Sequence, residues 1–178
     1  MKRHKLAFTL VFLAAAALTL GWPAVSSATE PNNQSNSYGF FMEVPNVAQD
    51  SAGDTLAVTG EGTFGVHPKS ASGGGAFTFT RADGTTFSGS WTVSGLVDFQ
   101  PYGCGMVFGT PLPPNFCGGR LVLDITAMTP FGLRPALLTI FCVIGNPPPS
   151  VEEGIHATIP SVGDFNRQTG GMNVYIQS

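Results

Sequence analysis

His67 and His156 are the side chains of this 178-residue chain best suited to proton transfer near neutral pH. Glu61 shares the polar face of one alternating segment with His67, and Asp124 lies on the polar face of another. If those faces lined a cavity, Glu61, His67, Asp124 and His156 would supply an acid–base pair or a thin metal site. The preferred reading is that both histidines face solvent on the outside of a closed sheet. Glu152 and Glu153 are adjacent, and neighbouring residues of a regular strand point to opposite faces, so they cannot address one substrate together.

Three cysteines, Cys104, Cys117 and Cys142, permit one bridge and leave one thiol. Cys104 and Cys117 flank a Gly/Pro-rich segment that reads as a loop, whereas Cys142 lies in the apolar run Leu137–Ile144. The expected disulfide is Cys104–Cys117 with Cys142 buried and reduced; the rival pairings are Cys104–Cys142 and Cys117–Cys142. Spacings that mark an acyl-transfer serine, a zinc helix, a phosphate loop or a calcium loop are absent from the sequence. No cofactor or metal is expected.

Export makes a disulfide plausible chemistry. Met1-Lys2-Arg3-His4-Lys5 is cationic, Leu6–Leu20 carries no charge, and Ser26-Ser27-Ala28 places small residues where a signal peptidase reads them. The expected organisation is a signal peptide over 1–28, a flexible lead-in over 29–38 and an antiparallel β domain over 39–178. The chain is then secreted, extracellular or periplasmic, and its uncharged leader is too short to span a bilayer, which takes about twenty residues. Loss of Lys2, Arg3 and Lys5 leaves five basic against all eleven acidic side chains, a formal charge of −6. That balance argues against nucleic acid and anionic membranes as partners. Asn33-Gln34-Ser35 has the form of a glycosylation sequon.

The elements that must hold these residues are strands. All but one each of the 23 glycines and 14 prolines lie beyond residue 28, leaving no room for a long helix. Period-two alternation runs from Leu56 to His67, from Phe87 to Phe99 and from Leu121 to Met128. In the second run Val97 falls on the apolar face and Leu96 on the polar one. Ala136–Ile144 is apolar at nearly every position, as a strand covered on both faces or lying at an interface would be. Phe40–Val44, Gly75–Arg81, Gly154–Ile159 and Met172–Ile176 complete a set of about eight short strands. The fold class is all-β, a single antiparallel β-barrel or barrel-like sandwich, with the barrel preferred because glycine recurs on the apolar faces.

One hairpin is specified residue by residue. A two-residue Asp83-Gly84 turn would mix the faces, so a three-residue loop with left-handed Gly84 is predicted instead. It pairs Arg81 with Thr85, Phe79 with Phe87, Phe77 with Gly89 and Gly75 with Trp91. Gly89-Ser90-Trp91 is similar to the G-x-W of lipocalins, but here it lies mid-chain rather than on a first strand, so no family is assigned.

Phe64, Phe77, Phe79, Phe87, Trp91 and Phe99 face inward on this pattern, as a core requires, and would equally line an apolar pocket in a wide enough barrel. Tyr38, Tyr102, Phe116 and Phe131 are expected in loops, available to a glycan. The leading function is a secreted non-catalytic β domain for extracellular binding or assembly, leaning away from catalysis. The alternatives are a small β-barrel enzyme or ligand carrier for an apolar or glycan small molecule, and a self-assembling matrix or fibre subunit in which Ala136–Ile144 pairs with another copy.

Overall fold

The structure is a computed structural model and describes residues 37–178. The signal peptide, most of the lead-in and the Asn33 sequon lie outside the described residues. The described chain is all-β: β1 (Ser37–Gln49), β2 (Thr55–Gly65), β3 (Ser70–Thr80), β4 (Thr86–Cys104), β5 (Met106–Val107), β6 (Thr110–Pro111), β7 (Phe116–Thr129), β8 (Gly132–Cys142), β9 (Gly154–Ile159), β10 (Gly163–Phe165) and β11 (Arg167–Gln177). All eight expected strands are present. The additions are β10 and the two-residue pair β5–β6. Ser37 and Tyr38, expected in the lead-in, already belong to β1, where Tyr38 is buried.

Nine strands form one antiparallel sheet in the order β10-β9-β8-β7-β11-β1-β2-β3-β4, and β4 also pairs along β7. The sheet therefore closes in part on itself, without forming a clear barrel. β7 is the branch point. Along one edge it pairs with β4; on the other, Phe116 and Cys117 meet β11 while Gly119–Thr129 meet β8.

The β3–β4 hairpin has the predicted register: Phe79 faces Phe87, Phe77 faces Gly89 and Gly75 faces Trp91. Arg81 N–H donates to Thr85 O at 2.8 Å, and Gly84 adopts φ 87°, the left-handed conformation that suits glycine. Thr78 and Ser88 hydroxyls bond across the outer face at 2.9 Å. Trp91 and Phe79 are buried while Ser90 and Thr78 are exposed, so the two faces are dry and wet as the alternation requires.

Glycines on the inner face make room for rings. A Cβ on Gly60 would run into the Trp91 indole, one on Gly62 into the Phe40 ring, and one on Gly89 into the Phe77 ring. Trp91 Nε1–H is satisfied at 3.0 Å by Thr59 O.

Further along β4 the expected alternation fails. Bulges between Val93 and Gly95 and between Leu96 and Asp98 shift the register, turning Leu96 onto the core and leaving Val97 39% exposed. The second shift returns Phe99 to the inside. Strand β8 is not an interface edge either: it lies between β7 and β9. Of the two expectations, coverage on both faces holds toward its end: Phe141, and Val143 just past the strand, are buried, with the His156 ring against Phe141 at 4.8 Å, while Leu137 stays exposed.

Candidate functional site

The inward aromatics divide into two groups with different packing. At one end Tyr38, Phe64, Phe99 and Tyr175 form a solid cluster, with ring centroids 4.7 to 5.8 Å apart. Tyr175 is fully buried and its hydroxyl donates to Ile140 O at 2.8 Å. Burial holds its pKa well above the ordinary tyrosine value of 10.

At the other end the strands enclose a chamber of about 190 Å³. Leu56, Val58, Phe77, Phe79, Phe87 and Trp91 form one wall, from β2, β3 and β4. Ile125, Ala127, Ala136 and Leu138 form the facing wall, from β7 and β8, and Ala157 and Ile159 of β9 complete it. Val58, Trp91, Leu138 and Ala157 are buried and make the floor. Arg81, Phe131, Arg134 and Val162 are exposed and make the mouth, with half-buried Thr129 beside them. Phe131 is 72% exposed and leans edge-on against Phe87, with centroids 5.6 Å apart.

The chamber exists because small residues stand among large ones. Ala127 pairs with Trp91 across the β4–β7 ladder, and Ala136 and Ala157 join it in the lining from β8 and β9, so three small side chains share the chamber with the Phe77, Phe79 and Trp91 rings. Trp91 spends its one donor on Thr59 O, which leaves the floor without a free polar hydrogen.

The residues singled out as candidate acids, bases or ligands do not line this chamber. Glu61 is exposed on β2, His67 is exposed in the β2–β3 turn, and Asp124 is exposed on β7. His156 lies on β9 beside a polar hollow of about 310 Å³, which it shares with Ser150, Glu152 and Arg167. There the His156 ring packs on Phe141 and bonds to the Asn166 backbone, and burial lowers its pKa below 6.5. Among the described residues no hydrogen bond joins His156 to Ser150 or Glu152, and no three His, Cys, Asp or Glu side chains gather as a metal cluster. Glu153, the second acid of its pair, turns inward and accepts from Val143 N at 2.8 Å and Asn173 N at 2.6 Å. Partial burial raises its pKa despite those two donors.

Cys104 and Cys117 form the disulfide, and Cys142 is free and fully buried. Burial, then the nearby Glu153 charge, push the Cys142 thiol up to about 12, which leaves it inert as a nucleophile. Of the four aromatics expected in loops, Tyr38 and Tyr102 are buried and Phe116 is half-buried. Phe131 alone of them is open to solvent, and it stands at the chamber mouth.

Sequence reasoning named the aromatic wall but missed Arg81, Arg134 and Val162. One signal was available: with only five basic side chains beyond the leader, each arginine's position carries weight. No family model, characterised protein or solved structure matches this chain.

Proposed function

We propose that the chain is a secreted, non-catalytic binding domain whose partly closed sheet takes an apolar molecule into the chamber lined by β2–β4 and β7–β9. One observation carries this reading: about 190 Å³ of space is bounded almost wholly by aliphatic and aromatic carbon and is open at one end. Cavities of about 150 Å³ with such linings stay dry and accept benzene-sized guests. Water gains few hydrogen bonds there, because Trp91 is already paired and the other wall residues are apolar. A guest of about six to eight carbons matches the volume on that comparison.

Catalysis finds less support. The candidate acid–base residues stand apart on β2, its following turn, β7 and β9, and the chamber holds no nucleophile beyond the half-buried Thr129 hydroxyl.

Ethylbenzene titration followed by NMR tests the binding reading. Saturable shifts are expected at the Trp91 indole and at the Leu56, Val58 and Leu138 methyls, with little change at Tyr38 or Phe64. Ala157→Leu, which fills the floor, should abolish those shifts. Shifts spread over the surface, or an unchanged response in Ala157→Leu, would refute it.

A further inference from the structure

The described residues contain five lysines and arginines: Lys69, Arg81, Arg120, Arg134 and Arg167. Three lie away from the chamber, and two of these are engaged. Arg120 pairs with Asp98 at 3.0 Å, Lys69 Nζ donates to Val97 O at 2.7 Å, and Arg167 lies in the polar hollow beside His156. The remaining two, Arg81 and Arg134, both stand at the mouth of the apolar chamber. Neither guanidinium makes an ion pair or a side-chain hydrogen bond among the described residues. Asp83 feels the charge of Arg81, but its carboxylate accepts instead from Thr85 N at 2.8 Å.

We infer that the bound molecule is an amphipathic monocarboxylate, its chain or ring on the Trp91 floor and its carboxylate at Arg81 and Arg134. The inference rests on the binding reading above. The chamber walls offer a ligand no polar partner below the mouth, so any polar group the ligand carries belongs at its mouth end. At the mouth the available donors are two guanidinium forks, whose planar geometry suits a carboxylate. An acyl chain of about six to eight carbons, or a phenylalkanoate of like size, satisfies both volume and charge. The competing role for these arginines is structural, their stems covering apolar surface while their charges stay in water.

Three eight-carbon probes separate the possibilities: octanoate, octan-1-ol and octylammonium, titrated calorimetrically at pH 8 and low salt. The protein is that recovered from expression of the full chain. Octanoate should bind about tenfold tighter than octan-1-ol, and octylammonium more weakly than either. In the Arg81→Gln/Arg134→Gln variant the affinities for octanoate and octan-1-ol should converge to within about twofold, and added salt should weaken octanoate binding to the unsubstituted protein. Equal affinity for acid and alcohol, or a preference that survives the double substitution, overturns the carboxylate inference while leaving an apolar site. Failure of all three probes to bind overturns the binding reading as well.

Discussion

Glycine at single inner-face positions decides whether the aromatic rings can lie flat against the opposite strand. Gly60 shows this most directly. An added Cβ would meet the Trp91 indole and the Gly74 carbonyl, and the indole cannot swing away without losing its bond to Thr59 O. Gly95 lies at a β4 bulge, where a Cβ would meet nothing within 4 Å. Gly60→Ala should therefore destabilise the fold by about 1–3 kcal/mol. Gly95→Ala should change stability by no more than about 0.5 kcal/mol. Urea unfolding of both variants checks the contrast, and comparable losses would mean that ring packing is not what these glycines serve.

Between elements, the weak place is where β11 leaves β7. Backbone pairing between those strands is limited to Tyr175 with Cys117 and Ile176 with Phe116, after which side chains take over. Asn46, at the bulged centre of β1, and Asn173 of β11 exchange amide hydrogen bonds of 3.0 and 2.9 Å while fully or almost fully buried. Asn173 Nδ2 also donates to Phe141 O of β8 at 2.9 Å, and Glu153 accepts from the Asn173 and Val143 backbones. The network joins β1 and β11 to β8 and β9 at a seam without a continuous ladder. Removing one amide strands the other, so Asn46→Ala and Asn173→Ala should each cost about 1–3 kcal/mol. The double variant should cost clearly less than their sum, because the second change removes a group already left unpaired. Strict additivity in a double-mutant cycle would show that the two amides are not coupled.

Strand identity was legible at this scale and seam geometry was not. The β3–β4 register followed from alternation and one left-handed glycine, both local signals. Leu96 and Val97 exchanged faces because two bulges in β4 answer to its long pairing with β7, a distant segment. Tyr38 and Tyr102 read as loop aromatics because glycine and polar residues surround them, yet each lies in a strand and is buried. Asn46 and Asn173 are 127 positions apart, and neither neighbourhood announces a buried amide.

At the largest scale, the described residues form a partly closed sheet packed solid at one end and hollow at the other. The sequence could not distinguish core from chamber, since Phe77, Phe79 and Trp91 satisfy either role. What separates them is the small set Ala127, Ala136 and Ala157, which β7, β8 and β9 bring into the same lining. Size supports the same division: the Tyr38, Phe64, Phe99 and Tyr175 rings fill one end, while the alanines leave about 190 Å³ unfilled at the other. The cations follow this polarity, with two of the five described at the open end. A crystal structure of the protein soaked with 8-bromooctanoate, read by bromine anomalous scattering, shows where the ligand sits. One strong peak is expected among Val58, Trp91, Leu138 and Ala157, with the carboxylate between Arg81 and Arg134. An empty chamber, or bromine bound only on the outer surface, would contradict that placement.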